Sequence, residues 1–274
     1  MLVGDLAQLP PVNRTPVYHS PVWRLFYPLF LTRSRRQEND PRFYQLLEEI
    51  RSGNITESSW RILTAKLNES MTTVDMSTAL ITTCIVGYRR SATQINTSIC
   101  NLLNTPPEKF LLNYAIDKMD GSICPIEMHS TFKDKTNLPH IVRLQQGARV
   151  MFLNNQHFDM GICNGTIGVI TDVDRENYVA RVSFAVKNAI IDINVRRITS
   201  FFYINGRPCE RMQFPLQNCF AMTVHKAQGL TLSNVSLVLD KQIFSPGQAY
   251  VALSRAPSWN SIRITALDRN AFLV

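Results

Sequence analysis

Gly4-Asp5-Leu6-Ala7-Gln8-Leu9-Pro10-Pro11-Val12, directly after the hydrophobic stub Leu2-Val3, reads as a strand that ends in a stiff loop. The two prolines fix φ and remove backbone donors, so the loop holds Gln8 in one place. A loop of this kind can present a side chain to a bound ligand. A Pro-Pro pair after a strand also serves as a plain turn, so the weight of this reading comes from the rest of the chain.

The chain has 274 residues, enough for a sizeable core and for two domains. Its hydrophobic share of 45% indicates a folded globular protein rather than a disordered one. Lys plus Arg is 29 and Asp plus Glu is 21, so 29 − 21 gives a net charge of +8. This favours a polyanionic partner. The basic residues are spread along the chain (Arg33, Arg35, Arg36, Arg89, Arg90, Arg196, Arg197), so the charge is expected to line a folded body rather than a tail. The cysteines, Cys84, Cys100, Cys124, Cys163, Cys209 and Cys219, form no C-x-x-C pair and lie near no suitably spaced histidine, which implies neither a zinc site nor a disulfide framework. No basic-then-apolar leader and no uninterrupted apolar run of about 18 residues occurs, so an intracellular, reducing environment is expected.

Working outward, Asp40-Pro41-Arg42-Phe43 through Gly53 supplies a cap, a proline at the first helical position, an apolar stripe and a terminal glycine. That pattern predicts an amphipathic helix. A second helix is expected from Thr56, with Trp60, Leu63 and Leu67 on one face. Thr78 to Thr83 reads as a buried strand, and Tyr88, Ala92, Ile95, Ile99 and Leu102 give another helical stripe. Strands alternating with helices suggest an α/β layer. The neighbouring carboxylates Glu48-Glu49 fall on a solvated helix face rather than in a catalytic pair.

From Leu138 to Pro215 the pattern shifts to short β-rich pieces: Ile141 to Leu144, Ala148 to Leu153, Thr166 to Asp172, Tyr178 to Val186 and Ala189 to Val195. This predicts a small β barrel inserted in an α/β domain. Beyond Pro215 the α/β pattern resumes with a strand Val235 to Leu239, a helix Gly247 to Ser254 and a strand Ile262 to Leu267.

Three further segments carry polar chemistry. Leu31-Thr32-Arg33-Ser34-Arg35-Arg36-Gln37 places arginines just before the capped helix, where a guanidinium can reach phosphate oxygens. Phe220-Ala221-Met222-Thr223-Val224-His225-Lys226-Ala227-Gln228-Gly229-Leu230-Thr231 packs hydroxyl, imidazole, ammonium and amide groups before a glycine, which suits close approach to phosphates or sugars. Gly247-Gln248-Ala249-Tyr250-Val251-Ala252-Leu253-Ser254-Arg255-Ala256 ends a helix on an arginine. Each alone could be a basic loop, a structural histidine or a solitary arginine.

The ordered set GDLAQLPPV, LTRSRRQ, GARVMFLNN with NGTIGVI, MTVHKAQGLT and YVALSRA resembles the PIF-type DNA helicases, of the RecD-like branch of helicase superfamily one that also includes the helicase part of Helitron transposons. The resemblance covers essentially the whole chain. It implies an α/β fold in which residues 1–30 are a remnant of a first RecA-like motor domain. Residues 31–137 and 216–274 would form the second such domain, and 138–215 a Src-homology-three-like barrel inserted in it. The implied activity is ATP-driven, Mg²⁺-dependent 5′ to 3′ translocation on single-stranded DNA with unwinding of duplexes or quadruplexes. Asp5 and Gln8 match the third helicase motif, in which the glutamine couples γ-phosphate state to DNA contacts. Arg36 matches the motif-four arginine finger with Gln37 beside it, and Arg35 competes for that role. Thr223, His225, Lys226, Gln228 and Gly229 match motif five, with Thr223, His225 and Lys226 as DNA contacts; Arg255 matches a second finger in motif six. No metal ligand is assigned among these residues.

One departure matters as much as the match. The phosphate loop G-x-x-x-x-G-K-[ST] and the acidic Mg²⁺ motif of such helicases are absent, and the dipeptide Gly-Lys occurs nowhere in the chain. The expectation is a carboxy-terminal fragment that is not an ATPase alone and depends on a first motor domain for ATP. It predicts a disordered or sticky stretch from Met1 to Phe30. A non-catalytic single-strand-binding module or a transposon-derived remnant is the competing reading, and a split enzyme a third. Phe152, Phe158, Phe184 and Tyr203 are candidates to stack on bases. By family, the nucleus or the mitochondrion is the implied compartment.

Overall fold

A computed structural model describes residues 3–11, 14–31, 33–71, 76–132 and 135–272. Two compact units result: residues 1–95 with 221–274, and residues 96–220.

In the first unit a parallel sheet runs in the order Ala221–Thr223, Thr83–Val86, Val235–Leu239, Ile262–Leu267. Ile85, Val86, Leu237, Leu239 and Ile264 are buried, as the near-continuous apolar strands of a covered parallel sheet require. The helix Pro41–Ser52 forms as its sequence dictates. The Asp40 carboxylate accepts the Phe43 amide at 3.1 Å, proline opens the first turn, and Gly53 closes it in the left-handed region at φ 72°. It buries Phe43, Leu46, Leu47 and Ile50. Glu49 meets the Thr56 amide and hydroxyl ahead of the next helix, Glu57–Met71, in which Leu63 is fully buried.

Two local expectations are corrected here. Thr78 to Thr83 is not a buried strand: Met76–Ile81 is helical, Ile81 is 63% exposed, and the strand is Thr83–Val86. The β-prone residues lie upstream of the positions that find partners, since Thr83 pairs with Val235 and Cys84 with both Ala221 and Ser236. Nor is there a strand at Val3-Gly4; Asp5 to Ala7 form a turn, and Leu2 and Val12 lie outside the described residues, as does Thr32 of the arginine-rich segment. The segment 14–31 has only the short 3-10 turns Val17–His19 and Pro21–Leu25, with Leu25, Tyr27, Leu29, Phe30 and Leu31 each more than 80% exposed.

The second unit is built of antiparallel sheets. A meander runs Leu216–Asn218, Arg149–Phe152, Ile167–Asp174, Val179–Val186, Ala189–Val195; a second sheet runs Ile198–Ile204, Arg207–Gln213, Ile116–Met119, Ser122–Ile123; Phe110–Tyr114 pairs with Ile141–Gln145. Three tight hairpins have both loop residues at positive φ, the type I′ pattern: Asp120-Gly121, Lys187-Asn188 and Asn205-Gly206. Val150, Phe152, Ile170, Val182, Phe184 and Phe214 fill its core. The boundary expected at 138 therefore falls inside this unit. Strands at 110–114 and 116–119 lend their hydrogen bonds to 141–145 and 207–213, so the compact body begins at 96. All six cysteines are free, and no described helix is long and apolar enough to cross a membrane.

Candidate functional site

The polar segments from the two ends of the chain meet within the first unit. The loop Asp5–Gln8 is fastened by its own carboxylate. Asp5 Oδ1 accepts the Ala7 amide at 3.1 Å and Arg51 Nη2 at 3.0 Å, and Oδ2 accepts the Tyr250 hydroxyl at 3.1 Å. Burial works against the charge, but the Ala7 amide, Arg51 and Tyr250 outweigh it and hold the Asp5 carboxyl below its usual value. Burial and then Asp5 push the Tyr250 phenol up to about 12. Gln8 Oε1 accepts Gln228 Nε2 at 3.1 Å, joining the first segment to the segment of Thr223 to Thr231.

Gly247 makes this docking possible. It sits at φ +76°, and a Cβ there would come 2.6 Å from the Ala7 carbonyl oxygen and 3.1 Å from that of Gln8. Any side chain would drive the loop off the start of the helix Gln248–Leu253. A cleft of about 540 Å³ opens beside the loop, bordered by Asp5, Gln8, Tyr18, Arg51, Gly247 and Tyr250.

Arg36 and Arg255 lie beside each other. Arg36 donates through Nε to the Thr231 hydroxyl at 2.9 Å and through Nη1 to the Ser254 carbonyl at 2.8 Å. Arg255, 1% exposed, donates through Nε to the Val251 carbonyl at 2.8 Å and through Nη2 to the Ser254 hydroxyl at 2.6 Å. Burial and then the charge of Arg36 bring the Arg255 guanidinium down to about 10, and burial lowers Arg36 as well. Two cations held by neutral oxygens are a site that an anion completes.

Gln37 is 5% exposed and turned inward, donating to the Ala256 carbonyl at 2.8 Å while its amide oxygen accepts from Ser34 at 2.8 Å. Arg35 points to solvent with its side chain 79% exposed and pairs with Glu38 at 3.4 Å, so of the two candidates it is Arg36 that faces the cluster.

The strand Ala221–Thr223 runs into the short helix Val224–Ala227, placing Thr223, His225 and Lys226 at the end of the parallel sheet. Thr223 is 7% exposed. Burial and then the charge of Arg89 lower both His225 and Lys226, so three basic groups share one neighbourhood. Gly229 turns the chain at φ 85°.

In the second unit, Phe152 and Phe184 are core residues at 1% and 0% exposure and cannot stack on a ligand, whereas Phe158 and Tyr203 are 72% and 70% exposed. One cluster there, centred on the buried pair Asp117 and Arg211, has no signature in the residue spacing. Arg211 grips Asp117 with two bonds of 2.7 Å, His129 Nδ1 lies 2.6 Å from the same carboxylate, and the His129 and His140 rings are 3.8 Å apart. Asp117, His129 and His140 have the chemistry of metal ligands, but both carboxylate oxygens are already engaged by Arg211. The separations of 12 and 94 residues hid this cluster from spacing rules.

Residues 127–173 match the family described as DNA helicase Pif1, 2B domain, and residues 179–263 match the viral superfamily 1 RNA helicase core domain. The chain is 30% identical over 278 residues to the human ATP-dependent DNA helicase PIF1, covering 98% of this chain and 40% of the relative. It is 29% identical to the Danio rerio protein of the same name, with the same coverages, and 30% identical to the Bdellovibrio bacteriovorus ATP-dependent DNA helicase Pif1, of which it covers 59%. Among solved structures, the Pif1 helicase of Candida albicans superposes with a TM-score of 0.80 at 26% identity, covering 98% of this chain and 64% of that one. A Pif1 structure solved for DNA unwinding at forked duplexes superposes with a TM-score of 0.67 at 25% identity, covering 98% and 61%. The chain thus spans about 40% of the length of the vertebrate relatives. The α/β unit is RecA-like, and the antiparallel unit is inserted in it.

Proposed function

We infer that the chain belongs to the PIF-type helicase family, and propose that it carries the phosphate-sensing and strand-holding half of an ATP-dependent 5′ to 3′ DNA helicase. The observation that carries this reading is the pair Arg36 and Arg255, side by side on Ser254 and hydrogen-bonded among the described residues to neutral oxygens, while Gln8 is joined to Gln228 in the same unit. Arginine fingers act on the charge of a transferring phosphoryl group, and two guanidinium groups resting on neutral oxygens can exchange those bonds for phosphate oxygens. ATP, when bound, supplies the free energy of translocation through hydrolysis. Arg36 and Arg255 would hold its γ-phosphate end, and Gln8 would pass the phosphate state through Gln228 to Thr223, His225 and Lys226 on the DNA backbone. Gln37 braces the Ser254–Ala256 turn on which both arginines rest.

The residues present suit the phosphates better than Mg²⁺. Asp5, the carboxylate of the loop, is already engaged by Arg51, Tyr250 and the Ala7 amide. The β-phosphate needs the donors of a phosphate loop, whose Gly-Lys dipeptide occurs nowhere in these 274 residues. The partner is single-stranded or forked DNA, in line with the DNA helicase relatives and the forked-duplex structure. Nucleus or mitochondrion as compartment follows from family alone.

The test has two arms. Purified, the 274-residue chain binds oligo(dT) with an affinity that falls steeply with salt and hydrolyses no ATP above background. In a polypeptide that also contains an in-frame phosphate loop, sought by reading the transcript upstream of the Met1 codon, Arg36→Ala and Arg255→Ala each lower kcat by about 10³-fold or more. DNA-stimulated hydrolysis that survives both substitutions removes the assignment. The competing reading, a non-catalytic single-strand binder, predicts the binding arm alone.

A further inference from the structure

Gly87 ends the strand Thr83–Val86 in direct contact with a second loop: a Cβ at Gly87 would lie 1.8 Å from the Gln242 carbonyl oxygen. No side chain fits between the two loops, so Tyr88 and Phe244 are presented together. Their rings stack at 5.6 Å between centroids and 18° between planes. Both are pinned from behind: the Tyr88 hydroxyl donates to the Lys241 carbonyl at 3.4 Å, and the Phe244 amide donates to the side chain of Gln248, which is fully buried. Yet both residues stay open to solvent, Tyr88 at 45% and Phe244 at 53%. Two aromatics held parallel at the surface bury little area for the ordering they cost, so their worth lies in what they can receive.

The surroundings identify the guest. Arg89 follows Tyr88 directly, and its charge reaches His225 and Lys226. Lys241 sits in the opposite loop, and the chain as a whole carries +8. A π-face beside clustered cations suits an unstacked base flanked by phosphates and is a poor match for an apolar helix or an acidic strand edge.

We propose that Tyr88 and Phe244 form a stacking step for one unpaired nucleobase of a bound single strand, with Arg89 and Lys226 beside the flanking phosphates. This rests on the nucleic-acid reading above and adds to it a base-dependent contact that phosphate binding alone lacks.

Fluorescence anisotropy with an oligo(dT) and an abasic oligomer of equal length separates the two. The wild-type chain binds oligo(dT) more tightly than the abasic strand. Tyr88→Ala and Phe244→Ala each weaken oligo(dT) binding about tenfold, leave abasic binding and the salt slope nearly unchanged, and so erase the difference. Tyr88→Leu and Phe244→Leu, which keep the apolar bulk and guard against misfolding, behave like the alanine variants, while Tyr88→Phe and Phe244→Trp keep wild-type affinity. Equal wild-type affinity for both oligomers, or oligo(dT) binding untouched in the leucine variants, overturns the stacking step and leaves the phosphate reading standing. No wild-type binding to either oligomer at low salt overturns the nucleic-acid reading and the step with it.

Discussion

Arg36 and Arg255, 219 positions apart in the chain, meet on one residue: Arg36 takes the carbonyl of Ser254 at 2.8 Å and Arg255 its hydroxyl at 2.6 Å. Burial lowers both guanidinium groups and the charge of Arg36 lowers Arg255 further, so an anion beside them favours their charged forms. Inorganic phosphate should therefore stabilise the α/β unit, by about 1.4 kcal/mol at ten times its Kd. The gain disappears in Arg36→Ala, measured as the phosphate-induced rise in melting temperature; an equal rise in that variant places the anion elsewhere.

Gly247→Ala combines a left-handed φ with a contact of 2.6 Å to a backbone oxygen. A cost of about 1–2 kcal/mol from φ alone is expected, with more from displacement of the Asp5–Gln8 loop. Calorimetry reads the loss, and faster proteolytic cleavage at 5–11 reports that the loop has come free.

Asp117 and Arg211 have side chains 0% and 2% exposed, so removing one partner strands the other. Arg211→Met should cost about 3–5 kcal/mol, whereas the double variant Asp117→Leu with Arg211→Met recovers most of it. A double variant no better than the single one would assign the loss to packing against Phe132 rather than to charge.

Burial, then the charges of His129 and Arg211, lower the His140 pKa below the usual 6.5. A depressed folded value means the unfolded chain takes up the proton first. The contribution of His140 is complete above about pH 6.5 and is lost as pH falls from there toward its folded value. Asp117 adds a second loss below about pH 3.8, because the bonds from Arg211 and His129 outweigh its burial and hold it low. Unfolding midpoints in urea from pH 7.5 to 5 check the first step, which should shrink in His140→Phe.

Asp40 has two tasks. One carboxylate oxygen caps the helix at the Phe43 amide and the other accepts the Trp259 amide at 2.8 Å. Asp40→Ala should cost about 1 kcal/mol or more, and Asp40→Asn, which keeps an acceptor for only one of the amides, about half. Thermal melts of the two variants give the comparison.

Elements governed by local rules were legible in the residues. Asp40, Pro41 and Gly53 mark a helix at both ends, and Ala189–Val195, Val235–Leu239 and Ile262–Leu267 lie where alternation and apolar runs place them. The Asp120-Gly121 and Asn205-Gly206 turns carry a strong hairpin signal, and the second of them joins the strands Ile198–Ile204 and Arg207–Gln213, which lie beyond the alternation that marks Ala189–Val195. Thr78 to Ile81 shows the opposite failure, β-prone residues that turn helical because no neighbouring strand is in register with them. Within the site, the segments were legible but their joints were not. Arg51 looks like an ordinary residue in a helix's last turn until Asp5 folds onto it, and Thr231 and Ser254 gain meaning only once Arg36 reaches them.

The strand Ala221–Thr223 lies beside Thr83–Val86, yet the whole antiparallel unit is threaded between them. On the ribosome this sets a timetable. Residues 96–220 are continuous and can close into their sheets as soon as they emerge, while the parallel sheet waits for Ile262–Leu267 to be complete. Until residues 221–239 emerge the strand at 83–86 has neither of its neighbours, and the nascent chain carries a finished insertion inside an unfinished host. A stop codon soon after Phe220 would therefore release a folded β unit and an unfolded remainder, with the parallel sheet unformed.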